Sequence, residues 1–264
     1  MKTTKRSKML LSSIAMLLVA LVALGSASFA WYKTQTSVTA EEAAVGAALA
    51  DGLEIRKDSA NYPDTEDYGA WGTSIELNDA PAGGLAPATM TYADDLTNNK
   101  YGVGGVGTSY SDGTLTSGLT EAANMSAFTV TRFQVAKSGT AATYASWQID
   151  HVVVPAGTTY MAFVVYKDGQ KVGSWTSGSN TTKKAKYESS TLSEDTTAFS
   201  HTGTLVNDTN ITTGLSNFVV GSKDSPTTFV VIGFADGFDQ NCTSKNAKND
   251  QVKISFTFNK ANSL

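Results

Sequence analysis

Two histidines, one cysteine and two acid-rich clusters are the residues of this 264-residue chain whose types and spacing invite chemistry. His151 and His201 lie fifty residues apart, so two imidazoles at i and i+4 on one helix face cannot form a zinc site. His151 stands between Asp150 and Val152 in a strand-like run and reads as a strand side chain with a local partner. Cys242 with one of the histidines is the nucleophile–base pairing that the composition leaves open. A small buried hydrophobe near a turn is the plainer reading of that cysteine. The chain contains neither a Gly-x-Ser-x-Gly elbow nor a His-Glu-x-x-His motif. Asp94-Asp95 with Asn98-Asn99, and Asp236 with Asp239, are oxygen-rich clusters of the kind that hold calcium outside cells, but neither has the Asp-x-Asp-x-Asp-Gly spacing. Turn-forming Asp and Asn account for them equally well. Gly102 to Gly107 matches Gly-x-Gly-x-x-Gly, yet Thr108-Ser109-Tyr110-Ser111-Asp112-Gly113 follows where a dinucleotide fold needs a helix, so a flexible loop is expected. No catalytic, cofactor-binding or metal-binding residue is therefore assigned, and calcium is the one cofactor left open.

The elements around these residues are strands. Leu53 to Arg56 alternates. Ala127 to Ala136 carries Phe128, Val130, Phe133 and Val135, with a change of parity near Thr131-Arg132 that predicts a bulge. Tyr144 to Val154 is a further strand, and Tyr160 to Tyr166 leads into Asp168-Gly169, a hairpin signal with Lys171 to Trp175 as the return strand. Asn217 to Val220, Thr227 to Phe234 and Gln251 to Phe258 complete the set, the last with Val252, Ile254, Phe256 and Phe258 on one face. Ala40 to Ala50 is the only helix-like stretch after residue 30, and Gly46 weakens it. Residues 59–117, rich in Gly, Asp and Asn, and 177–213, rich in Ser and Thr, are expected as elaborated loops or insertions. The fold class is all-β: a jelly-roll-like β-sandwich spanning 31–264 as one domain, preceded by an N-terminal signal helix. Trp71, Trp147, Trp175, Phe218, Phe229, Phe234 and Phe256 are expected in its core.

The first thirty residues read as a secretory signal peptide. Lys2, Lys5, Arg6 and Lys8 precede the apolar run Met9 to Leu24, and Ser28 and Ala30 offer the small side chains for cleavage between Ala30 and Trp31. The alternative is a retained anchor; its 16 apolar residues fall short of a comfortable span of about 18. The chain is formally −4, and losing a leader with four positive charges and no acids takes the remainder to −8, which argues against nucleic acid as a partner. A lone cysteine excludes an internal disulfide and leaves packing and strand pairing to hold the fold; an exported lone thiol could also pair between two molecules.

Two stretches carry a resemblance. Leu17 to Trp31, ending Gly25-Ser26-Ala27-Ser28-Phe29-Ala30-Trp31 with Tyr32 behind it, resembles the leaders of the TasA/camelysin-like secreted proteins of Gram-positive bacteria, which a dedicated signal peptidase cuts before an aromatic residue. Phe229 to Thr243, with Asp250 to Phe258, is similar to the penultimate strand, Asp-x-x-Cys turn and final strand of clostridial members. Those carry Trp-x-Glu-Gly-x-Asp across Gly233 to Asp239, where this chain has no Glu. The resemblance implies a jelly-roll sandwich, export to the cell surface or extracellular matrix, and assembly into matrix fibres. The leading expectation is a structural, non-enzymatic fibre subunit. Its segment Trp31–Thr39, with Tyr32, Thr34, Thr36 and Val38 on one face, would be the donor strand that completes a neighbour's sheet. Partners are then other copies of the chain, the signal peptidase, and a matrix polysaccharide or accessory protein. The alternatives are a surface adhesin or carbohydrate-binding module, with its site in 59–117, and a secreted hydrolase.

Overall fold

The computed structural model describes residues 46–49, 52–78, 84–104, 119–139, 144–249 and 252–264. The leader, the Ala30–Trp31 junction and the donor-strand residues Tyr32, Thr34, Thr36 and Val38 lie outside the described residues. In chain order the strands are β1 (Gly46–Leu49), β2 (Leu53–Lys57), β3 (Ser74–Glu76), β4 (Pro87–Met90), β5 (Tyr101–Val103), β6 (Thr120–Glu121), β7 (Phe128–Lys137), β8 (Tyr144–Val153), β9 (Met161–Lys167), β10 (Gln170–Thr176), β11 (Thr181–Thr182), β12 (Ala185–Glu188), β13 (Thr191–Glu194), β14 (Phe199–Ser200), β15 (Gly203–Thr204), β16 (Phe218–Val219), β17 (Thr227–Asp236) and β18 (Lys253–Ala261). One short helix, α1 (Ser244–Asn249), interrupts them.

Two sheets share the principal core. The first has the order β16-β8-β18-β1-β3. The second runs β15-β10-β9-β17; beyond β17 lie β7, paired along Thr227 to Phe234, and then β4, paired in parallel at Ala235 and Asp236. β2 flanks β7, while β5 and β6 extend from β4. Alternation supplies the facing surfaces. Trp147, Ile149, Phe256 and Phe258 of the first sheet meet Phe133, Phe163, Trp175, Phe229 and Val231 of the second. The rings pack edge-on and offset, with Trp147 centroids 6.3 Å from Trp175 and 5.7 Å from Phe229, which adds specificity to the burial of large apolar surfaces.

The second sheet is covered on its other face as well. β17 is buried at nine of its ten residues, with Phe229 and Val231 toward the first sheet and Val230, Ile232 and Phe234 toward a separate cluster that includes Met90, Tyr92, Phe128 and Tyr166. Burial on both faces is why this strand reads as a continuous apolar run instead of an alternating one. The covering layer comes from the two segments expected as elaborated loops. Their described parts form β4 and β5, which extend the second sheet, and the small pairs β11–β14 and β12–β13; they bury Tyr92, Leu192 and His201 and pack Phe199 against the second cluster. A third cluster, with Tyr160, Met161, Ala235, Cys242 and Ala247, closes one end.

Two local expectations change. The parity switch in β7 is not a bulge, because its register against β17 is unbroken from Phe128 to Val135. Phe128 packs in the outer cluster and Phe133 and Val135 in the inner one, so the strand changes the face it buries without changing register. The bulge lies in β8, where pairing with β18 shifts between Lys253 and Ser255 and His151 adopts φ 46°. It lets both Ile149 and Val152 face the core. The end of the helix-like stretch, Gly46–Leu49, is a strand parallel to β18, because ladder pairing with Phe256 to Phe258 overrides an alanine helix propensity that Gly46 already weakens. The Asp168-Gly169 hairpin is as expected, with φ 49° and 79° at the two turn residues, the left-handed pair a two-residue turn requires.

Candidate functional site

The residues singled out for chemistry fall in separate places. His151 is 82% exposed on the bulge, its Nε2 3.5 Å from Asp150 Oδ2. His201 is buried beneath the covering layer, Nδ1 3.3 Å from Ser174 Oγ and Nε2 3.0 Å from Thr182 Oγ1, with its pKa lowered to about 4 by burial. Cys242 is fully buried, and burial, with the nearby Asp236 and Asp239 carboxyls, pushes its thiol far above the ordinary range. A thiol that is neither exposed nor ionised is not prepared as a nucleophile or as a cross-link between molecules. The small buried hydrophobe is the reading its position supports.

The Asp94 cluster spends its oxygens locally. Asp94 Oδ1 pairs with Lys171 Nζ at 2.9 Å. Asp95 Oδ1 accepts from the Thr97 amide and hydroxyl at the start of a single 3-10 turn. Buried Asn99 donates to Tyr166 Oη at 2.6 Å and accepts from the Ala93 amide. Turn formation, the alternative reading of this group, accounts for these contacts. The first half of the glycine motif is likewise structural. Gly102 belongs to β5, where a Cβ would press against Leu119 and Leu192 at 3.3 Å, so the flexible-loop expectation fails for Gly102 and Val103.

Asp236 is different. It is the last residue of β17, on the face that carries Phe234 and Ile232, and it is 2% exposed. Its Oδ1 accepts the Phe238 amide at 3.0 Å, and its Oδ2 is buried with no hydrogen-bond partner. Burial raises its pKa to about 7, the Phe238 N–H opposing and the Asp239 charge adding to the rise. Asp239 follows one turn later; its Oδ2 accepts from Thr159 Oγ1 at 2.8 Å and its Oδ1 from the Asn241 amide. Asp236 and Asp239 line a cavity of about 360 Å³ together with Thr159, Ser179, Thr181, Thr182 and Phe238. Tyr92 stands behind it, stacked on Phe199 at 4.1 Å, with Thr182 and Asp236 near its buried hydroxyl. No family model, no curated protein and no solved structure matches this chain.

Asp236 and Asp239 are thus the one pair of sequence candidates that the fold brings to a common cavity. Tyr92, Thr159 and Thr182 join them without having been singled out. They come from segments far apart in sequence, and nothing local in a Thr-rich chain marks them. Among the described residues, no group of three His, Cys, Asp or Glu side chains is placed to hold a metal. No helix among them is long and apolar enough to cross a membrane.

A second acid is buried elsewhere. Asp58 lies against the guanidinium of Arg132 and accepts the amides of Ala60 and Asp67 at 2.9 and 2.7 Å. Burial works to raise its pKa, but the two amides and the guanidinium outweigh it and hold it below the usual carboxylate value. Arg132 also donates to the Asp64 carbonyl at 3.0 Å, so this pair closes the 59–67 loop over β7.

Proposed function

We propose that this chain is an exported structural subunit of the cell surface or biofilm matrix, released by cleavage after Ala30 and built on a jelly-roll version of the sandwich. In this reading, subunits join when the N-terminal segment of one copy enters the sheet of the next. The observation that carries it is the position of β1. The strand nearest the N terminus among the described residues occupies an interior slot of the first sheet, between β18 and β3, with Ala47 opposite Phe256 and parallel to it. A sheet that takes an N-terminal strand between its last strand and another already has the architecture that strand addition uses. The donor segment Trp31–Thr39 immediately precedes this region. The test is the mature chain lacking residues 31–39, examined by size exclusion and negative-stain microscopy beside the intact mature chain. Fibres from the intact chain alone support strand donation; fibres from both refute it.

One observation favours a glycan-binding adhesin as a second reading. A groove of about 630 Å³ lies beside the 59–67 loop, lined by Tyr62, Asp64, Asn78 and Asn124. A half-buried tyrosine flanked by amide side chains suits a sugar ring better than a charged ligand. A glycan array with the mature chain and its Tyr62→Ala variant decides it; absence of any hit removes this reading.

A further inference from the structure

The geometry points to a calcium site in the cavity at the end of β17, with the carboxylates of Asp236 and Asp239 as its anionic ligands. Acidic pairs on turns are common, and hydrogen bonds among them explain most. Here one oxygen is left over. Asp236 is one of the residues lining the cavity, and its Oδ2 is buried with no hydrogen-bond donor, although its partner oxygen takes the Phe238 amide. A buried polar atom without a partner is costly to leave unsatisfied, and native folds rarely retain one without a reason. The available room, about 360 Å³, is open to the surface on one side and large enough for a hydrated ion.

The chemistry of the walls selects the ligand class. Two carboxyls and several hydroxyl-bearing side chains present hard oxygen donors. Lys183 reaches the cavity rim, but its ammonium is engaged by Glu194. A cationic guest is therefore favoured over an anionic or neutral one. Cys242 lies below the pair as a buried, protonated thiol, and His201 is turned to Ser174 and Thr182, so the soft and imidazole ligands that transition metals prefer are absent from this set. Calcium accepts six to eight oxygens in flexible geometry and completes its shell with water, which the open side of the cavity supplies. With two protein carboxylates, the affinity falls in the weak range of extracellular modules, a Kd of about 10⁻⁴ to 10⁻³ M. This site does not depend on the fibre reading, and a monomeric protein would serve equally well to test it.

The experiment is calorimetric titration of the EDTA-treated full mature chain with calcium chloride, with magnesium chloride as the comparison and thermal unfolding as a second readout. The expected result is one calcium per chain and a rise in Tm with calcium that magnesium reproduces weakly. Asp236→Asn should weaken binding at least tenfold. Asp239→Asn, a substitution at a half-buried position that leaves the strand intact, should do the same, which keeps the test valid if the Asp236 variant fails to fold. Asp94→Asn should bind as the parent does. No heat and no Tm shift at 10 mM calcium overturns the site, as does binding that survives both Asp236→Asn and Asp239→Asn.

Discussion

His201 provides a quantitative check on the covering layer. The imidazole is 7% exposed, held between Ser174 and Thr182, and its pKa is lowered by burial from 6.5 to about 4. A base with a depressed folded pKa binds fewer protons in the native state than in the unfolded one. Its contribution is complete above about pH 6.5 and is lost as pH falls from 6.5 through 4. The difference of about 2.5 units, at about 1.4 kcal/mol per unit, corresponds to about 3 kcal/mol by pH 4. The perturbation is His201→Gln, which cannot titrate and can still hydrogen-bond one of the two hydroxyls. Both proteins are unfolded with urea in EDTA at several pH values from 8 to 4. Asp236 titrates over an overlapping range with the opposite sign, so the difference between the two proteins carries the test. Wild type should lose about 3 kcal/mol more than the variant between pH 7.5 and pH 4. A constant difference across that range would refute the burial of a neutral imidazole and, with it, the packing of the covering layer on Tyr92 and Phe199.

Three further outcomes follow from the packing. Gly233→Ala places a Cβ 2.7 Å from Phe163 Cε1 in a strand buried on both faces, and overpacking of this kind costs about 1–3 kcal/mol, read as a lower urea midpoint at unchanged m. Arg132→Met strands the buried Asp58 carboxylate and should cost about 3–5 kcal/mol in urea unfolding, whereas adding Asp58→Asn to it should restore part of the loss. His151→Val should cost about 1–2 kcal/mol in thermal unfolding although the side chain is 82% exposed, because a β-branched residue is strained at φ 46°, while His151→Gly should keep parental stability.

Periodicity made the sandwich strands legible. Trp147, Phe256 and Phe258 alternate with polar neighbours and all face the inner core, and Asp168-Gly169 announces its own turn. The covering layer was not legible, for a physical reason. Its strands are two to four residues long, too short for a period to appear, and its apolar residues Met90, Tyr92, Leu192 and Phe199 are spread over more than a hundred residues of Thr, Ser and Gly. The clue was on the other side of the contact: β17 has no wet face, and a strand of that kind demands cover from somewhere. The Asp236–Asp239 pair was visible as a spacing, but its distinction from Asp94-Asp95 was not. That distinction lies in which oxygens find a partner, and it depends on Thr97, Lys171 and Phe238 being where the fold places them.

The sheet edges constrain how copies of this chain can meet. β16, β15 and β6 offer two residues each, β3 offers three with Ser74 and Glu76 exposed, and β2 has its outer edge bridged at Ile55 by Gly72. Short, charged or covered edges are poor templates for edge-to-edge pairing. The long strands β7, β8, β9, β17 and β18 all lie in sheet interiors, and β17 is shielded on both faces. Self-association by backbone pairing therefore has little to use among the described edges, and strand donation requires an incoming segment to take the interior position beside β18 that the chain's own β1 fills. If the chain forms fibres, removing the exposed charge of the β3 edge by Glu76→Thr should leave assembly unchanged, while loss of residues 31–39 should abolish it. The reverse result would move the joint to the edge and remove strand donation.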